Sequence, residues 1–367
     1  PVSLMKHGSR RQRTIHELKR RPCPVDFRCA LDAHTIQSGN LSALHPAERF
    51  HSKLNFLMNR RSFLASTSAF AISSSLARAA SRETLHLATN TYPWSTFAGR
   101  GGKAFTLHSD EALADIAATG LQGYEPLIKN VAEFDGLPER LKAHGLEMRS
   151  IYVNSTLHEA EQAKASIMEV LSIARRAVAA GVKIVVTNPS PIQWGGSGNK
   201  TDAQLLTQSS ALNQLAAELS KLGLTLAYHN HDSELREGAR EFHHMLTATD
   251  PALVKFCLDA HWVFRGCGDS QVALFDAVEH YGSRIVELHL RQSEKGTWTE
   301  VFSTAGDIDY ARLADWLHTR QMRPHLVLEQ AVEKATPNTL DAVEAHRRGR
   351  AHAEERFAVF ATDKLKQ

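Results

Sequence analysis

Four stretches carry the reading: 224–235, LTLAYHNHDSEL; 254–267, VKFCLDAHWVFRGC; 285–291, IVELHLR; and 325–329, HLVLE. Each is a short apolar run that ends in ionisable residues. A strand buried on both faces reads as a continuous apolar run, the mark of a parallel sheet covered by helices. Working outward gives eight strand candidates: 85–92, 120–127, 146–154, 183–188, 224–231, 254–261, 285–291 and 325–330. Their starts lie roughly 34 residues apart, room for one strand, one helix and two loops.

The segments between them carry the helical period. Over 158–181, Ile167, Val170, Leu171, Ala174 and Val178 share one stripe, and Gly181 ends it. The segments 202–223, 269–282 and 309–321 each open on Asp, an N-cap residue, and a last helix over 338–360 closes the ring. Eight such units predict an α/β fold, a single (β/α)8 TIM barrel. An open doubly wound sheet would need a glycine-rich phosphate turn after its first strand. Gly99-Arg100-Gly101-Gly102 is not that fingerprint.

The 367 residues are 43% hydrophobic and 23% charged, which excludes a disordered chain. No apolar run is long enough to span a membrane. The net charge of +3 hides a segregation: residues 1–57 carry ten Lys/Arg against four Asp/Glu, whereas 81–367 carry 30 against 36. A nucleic-acid binder concentrates positive charge in its folded part, so that class is disfavoured. Residues 58–80, MNRRSFLASTSAFAISSSLARAA, place Arg60-Arg61 before a mildly apolar run and small residues at Ala77 and Ala79. This is the pattern of a twin-arginine signal peptide. The expected organisation is an upstream or disordered leader (1–57), the signal (58–80) and one barrel domain (81–367). Cys257 and Cys267 then remain in the exported part. Cys257 sits in an apolar strand and reads as core, with a Cys257–Cys267 disulfide as the alternative.

Barrel chemistry sits at the C-terminal ends of the strands. Period-two reading puts Glu125, His229, His231, Asp259, His261, His289, Arg291 and Glu329 there, facing inward. So many buried ionisable groups are costly unless they pair or bind a cation. His229, Asp259, His289 and Glu329 form a mixed N/O set suited to one divalent Mn, Zn, Co or Fe. Such an ion polarises a carbonyl and stabilises an enediolate while a carboxylate moves the proton. Glu329 is the candidate base, and His229 or His231 the second proton carrier. Glu125, Arg291 and His261 are expected at the substrate, and Trp262 on a sugar face, with Trp94 and Trp194 as weaker stacking candidates. Glu234 reads as a solvated loop carboxylate, and His243-His244 as surface.

GLQGYE, LAYHNHDSEL, FCLDAHWVFRGCGD, VELHLR, AGDIDY and LVLE together resemble the xylose isomerase-like barrels, the sugar phosphate isomerases/epimerases, across 85–360. The resemblance implies metal ligands on the last four strands, of which Asp259, His289 and Glu329 match. Where many members carry Glu-Asn on the fifth strand, this chain has His229-Asn230. In that it is similar to a YHNH-type branch of inosose dehydratases and enzymes of 3-keto sugars and glycosides. The usual His-x-Lys-Asp of the seventh strand appears as His289-Leu290-Arg291-Gln292.

The resemblance thus implies a metal-dependent sugar isomerase or epimerase. The alternatives are a dehydratase/lyase on a 3-keto sugar, keto-glycoside or inosose, and a non-catalytic carbohydrate-binding barrel. The superfamily's endonuclease branch is disfavoured by the acidic balance of 81–367. The expected partners are a small carbohydrate and the twin-arginine export machinery, with no nucleic acid and no membrane span; a homo-oligomer stays open. The expected compartment is the periplasm. Replacing Arg60-Arg61 by Lys-Lys is expected to leave the protein in the cytoplasm, which cell fractionation checks; normal periplasmic yield would refute the export signal.

Overall fold

The computed structural model describes residues 85–103, 105–106 and 108–361. The leader, the signal with Arg60-Arg61, Cys23 and Cys29 lie outside the described residues.

Eight parallel strands form one sheet: Leu87–Asn90, Gly123–Glu125, Ser150–Tyr152, Ile184–Thr187, Thr225–His229, Val254–Asp259, Ile285–Leu290 and His325–Leu328. The first strand pairs with both the second and the eighth. The second and third strands meet through bridges at Gly123–Glu147 and Leu127–Tyr152, which bring the sheet round on itself. Pro126 lies in this seam with no N–H to offer, and its carbonyl accepts from Tyr152 N at 2.9 Å. The result is the expected barrel. Closure matters because it removes the sheet edges that would otherwise template pairing with other chains.

The strands are shorter than the apolar runs suggested, because the chain turns as soon as a side chain captures a backbone N–H. Asn90 accepts from Tyr92 N, so a helix, Thr91–Arg100, starts inside the expected first strand. Asp259 accepts from Trp262 N, so the helix Ala260–Gly266 starts before His261. Gly99-Arg100-Gly101-Gly102 merely ends the first helix.

The outer helices bury one stripe each. In Ala160–Ala179 the buried face is Ile167, Val170, Ile173, Ala174 and Ala177; Leu171 is half-buried and Val178 exposed, so the stripe runs one position aside from the expected one. Thr201 and Gln204 form a reciprocal capping box at Asp202–Lys221. Ser270, not Asp269, caps Gln271–Tyr281, while Asp309 and Asp341 cap Tyr310–Thr319 and Ala342–Arg356. The closing helix therefore starts later than position 338. A small hairpin, Ser293–Glu294 with Thr297–Trp298, stands above the seventh strand. Cys257 and Cys267 are free thiols, and Cys257 is buried core.

One register shift sets up the site. The pairing of the sixth and seventh strands runs Phe256 with Ile285 and then Cys257 with Glu287, skipping a residue, so that Asp259 stands beside His289. Without the shift Asp259 would face Leu288, whose side chain belongs to the layer between barrel and helices.

Arg284, 4% exposed, anchors the opposite end of the same strands. It donates to the carbonyls of Leu246 and Val254 and to Thr249 Oγ1. Arg284→Ala is expected to cost about 2–4 kcal/mol by stripping these charge-assisted bonds, which a urea unfolding curve measures.

Candidate active site

The mouth of the barrel holds a cavity of about 560 Å³. Its wall includes Glu125, His231, Trp262, Arg291 and Glu329, together with Asn90, Tyr92, Tyr152 and Asn154. His229, Asp259 and His289 lie beneath these residues, fully buried.

His229, Asp259 and Glu329 each place a ligand atom within 4.8 Å of the others. His289 abuts this group, with Nδ1 2.8 Å from Glu329 Oε2. That approach lacks hydrogen-bond geometry, so both atoms lack a partner, as do both ring nitrogens of His229 and Asp259 Oδ2. Buried polar atoms left in this state cost free energy. His229, Asp259 and Glu329 each offer one ligand atom to a common point, with His289 Nδ1 beside Glu329, in a mix of imidazole and carboxylate that suits a divalent cation. The residues therefore fit a metal ion.

The other face of His289 is engaged. Its Nε2 lies 3.0 Å from Glu125 Oε1 and 3.2 Å from Glu287 Oε1. Ser150 Oγ donates to Glu125 Oε2 at 2.8 Å. A proton on Nε2 leaves the Nδ1 lone pair turned toward Glu329, the way an outer partner orients a ligating imidazole. Glu125 thus lines the cavity with its oxygens committed to His289 and Ser150. Glu287 escaped the sequence reading, although the same period-two rule that selected His289 and Arg291 selects it.

Charge is balanced locally. Burial alone would lower His289, but Cys257, Glu329 and Glu125 outweigh it and raise the ring well above its ordinary value, so a cation bound at Nδ1 would displace a proton there. Because burial keeps the Cys257 thiol itself protonated, the carboxylates are the effective cause. Burial would raise Glu329, yet His289 and Arg291 keep it below the usual carboxylate range. Burial pushes Asp259 up to about 6 against the pull of Arg291, and raises Glu287 well above its ordinary value with Glu125 adding to it. Burial lowers His229 far below, and His231 to about 4. Both histidines are therefore neutral, the form that ligates metal or accepts a proton.

Arg291, with no exposed surface, reaches Glu329 at 3.4 Å and Asp259 at 3.7 Å. Its guanidinium lies 4.3 Å from the Trp298 ring and 4.9 Å from that of Trp262. The AGDIDY stretch holds it in place. Tyr310 Oη donates to the Arg291 carbonyl at 2.8 Å, and Asp307 accepts from Ser293 Oγ, Lys295 N and Gly296 N to fix the hairpin above. Gln292 ties the same exit loop, accepting from Ile308 N and donating to the Ile308 carbonyl. Gly306, at φ 150°, packs so close to Gln292 that any Cβ would overlap it.

Several expectations need correcting. His261 sits on a helix rather than a strand and points away from the cavity wall; its Nε2 meets Ser293 Oγ at 2.9 Å, under the hairpin. Glu234 is buried, not solvated. It accepts from His231 N at 2.7 Å and from Asn188 Nδ2 at 3.2 Å, and Asn188 also donates to the His229 carbonyl. It thus pins the two histidines. Trp94 is core, stacked on His346 with ring centres 4.4 Å apart. Trp262 and Trp194 do line the cavity, while His243 is exposed and meets Tyr281 Oη. Tyr152 was missed, although it ends the third strand; its ring lies 5.5 Å from His229.

Known proteins share this architecture. A structure of a sugar phosphate isomerase/epimerase from Parabacteroides distasonis superposes with a TM-score of 0.59 at 16% identity, covering 79% of this chain and 99% of that one. L-ribulose 3-epimerase gives 0.56 at 16%, covering 77% and 100%. At such identities the likeness is one of fold. An inosose dehydratase of Halalkalibacterium halodurans is 26% identical over 181 residues, 46% of this chain. The match spans 58% of that relative's length. The family model for the xylose isomerase-like TIM barrel matches residues 111–353, and with that match over most of its length the chain belongs to this family.

Proposed function

We propose that the chain is a metal-dependent sugar isomerase/epimerase-type enzyme of the periplasm, acting through an enediolate on a carbohydrate or keto sugar. The observation that carries this reading is the convergence of His229, Asp259 and Glu329, with His289 abutting them, on unpartnered buried atoms at the cavity floor. A divalent ion held there, Mn, Zn, Co or Fe, supplies Lewis-acid polarisation of a substrate carbonyl.

The chain's own residues handle the protons. Glu329, kept ionised against its burial by His289 and Arg291, accepts the proton α to the carbonyl. His231 lines the cavity as a neutral imidazole, and with His229 beneath it serves the second transfer. Arg291 holds Glu329 and Asp259 in place and faces substrate oxygens from the wall. Glu125 positions the His289 ring. Trp262 offers a sugar face a flat apolar partner.

Proton delivery to the neighbouring carbon of the enediolate gives an isomer, and delivery to the original carbon from the opposite face gives an epimer. Departure of a β-hydroxyl as water, taking the proton that Glu329 accepted and that His231 relays, gives a dehydratase instead. The partial likeness to inosose dehydratase, together with the YHNH sequence at His229 and His231, favours this second outcome as the runner-up, on a 3-keto sugar, keto-glycoside or inosose.

The protein isolated without chelators is expected to hold about one Mn, Zn, Co or Fe per chain by elemental mass spectrometry. His289→Ala is expected to lose it; stoichiometric metal in that variant would remove His289 from the ligand set. Absence of metal even after reconstitution would favour the carbohydrate-binding barrel. Glu329→Gln is expected to slow solvent-deuterium uptake into a responsive keto sugar by roughly 10²- to 10⁴-fold, followed by NMR. An unchanged rate would assign the base elsewhere.

A further inference from the structure

The cavity extends well past the group on its floor. Beyond the metal-ligand candidates it is walled by Gln193, Trp194 and Gly195 from one segment and by Asp232, Ser233 and Arg236 from another. None of these six has a role in the chemistry above. At about 560 Å³ the cavity falls within the range that encloses drug-sized ligands, roughly 300–1,000 Å³. That is more room than one sugar ring requires.

This wall is built rather than incidental. Arg236 Nη1 donates to the Gly196 carbonyl at 2.9 Å, and Asn199 Nδ2 donates to Glu237 Oε1 at 2.9 Å. Lys200, 2% exposed, pairs with Glu241 at 2.6 Å and donates to the Pro189 carbonyl at 3.2 Å, and Arg240 donates to the Lys200 carbonyl. The loop is thereby clamped at both ends to the segment that follows the fifth strand. That segment is itself strained. Glu237, Gly238 and Ala239 run through three successive left-handed conformations, φ 51°, 73° and 61°, immediately after Arg236. Left-handed backbone costs non-glycine residues free energy and persists where the surroundings over-determine it, often at ligand clamps.

Trp194 is held at the rim by this frame while 54% exposed. Its ring stands edge-on to His231 at 5.3 Å, and His231 in turn lies 4.8 Å from His229. Trp194 is thus one imidazole removed from the nearest metal-ligand candidate. A sugar ring with its carbonyl at the floor leaves Trp194 and Arg236 to whatever is attached to that ring.

We infer that Trp194 and Arg236 form a second subsite and that the substrate is a glycoside bearing a keto group on its sugar ring, whose aglycone or second sugar ring stacks on Trp194 while Arg236 bonds its oxygens. This rests on the carbohydrate reading of the site and narrows it, against free monosaccharides and inososes. A flat polar-edged group on an exposed indole, beside a fixed guanidinium, is the chemistry such a wall recognises.

The test compares glucose and galactose with their phenyl β-glycosides and with cellobiose. The phenyl glycosides have no free carbonyl, and the free sugars and cellobiose mask theirs as a hemiacetal, so calorimetry on the full metal-loaded chain, with NMR checking that each probe is recovered unchanged, reads binding alone. The glycosides are expected to bind roughly 5- to 10-fold more tightly than the matching free sugars. In Trp194→Ala, and separately in Arg236→Ala, that ratio is expected to fall to within about twofold of unity. Equal affinities in the wild type, no binding by any probe, or a ratio that survives both substitutions would overturn the proposal. Deuterium exchange on keto sugars in the same preparations separates the two ideas. Exchange without glycoside preference removes the subsite and keeps the enediolate chemistry; preference without metal-dependent exchange keeps the subsite and removes the chemistry.

Discussion

The pairing between Val254–Asp259 and Ile285–Leu290 is the constraint on which the site depends. Side chains alternate along a strand, so a slip of one residue exchanges the inner and outer sets. The irregularity after Phe256 brings Asp259 level with His289 and Cys257 level with Glu287. His289 also pairs with Val327, which sets Glu329 one inward step higher on the eighth strand. From these alignments follow the close approach of His289 to Glu329 and the placement of Arg291 against two carboxylates.

Burial then forces the electrostatics. A fully desolvated ring or carboxylate is tolerated only against opposite charge or a hydrogen bond. His289 meets this with Glu125 and Glu287 on one nitrogen and Glu329 on the other, and Arg291 with Asp259, Glu329 and two indoles. Neither ring nitrogen of His229 has a hydrogen-bond partner among the described residues, although Asp259 and Glu329 stand beside it, which is why the floor reads as a cation site. The loops after the strands serve this centre: Tyr310 and Asp307 steady Arg291 and its hairpin, and Glu234 with Asn188 steadies His229 and His231.

The resemblance-bearing motifs divide accordingly. Asp259, His289 and Glu329 face one another, whereas AGDIDY and Gln292 are scaffold. The usual carboxylate at position 292 is replaced by an amide that bonds the Ile308 backbone as both donor and acceptor, which a carboxylate cannot do. His261 was misplaced because the Asp259 cap ends the strand two residues early, and a helix carries side chains round its axis instead of alternating them. Glu234 looked solvated because a short polar loop gives no sign in sequence of folding back over its own histidines.

The sequence by itself determined the eight-unit barrel and the identity of most mouth residues. An apolar run buried on both faces and a helical stripe are local periodicities, and the polar residue at the end of each run marks the open end. Tertiary structure alone decided which of those residues touch. The register shift after Phe256, the seam at Pro126 and the left-handed turn at Glu237–Ala239 depend on neighbours 25 to 40 residues away. No periodicity records such distances. For the same reason the Trp194–Arg236 wall was invisible: its two loops become one surface only when Lys200, Asn199 and Arg240 clamp them together.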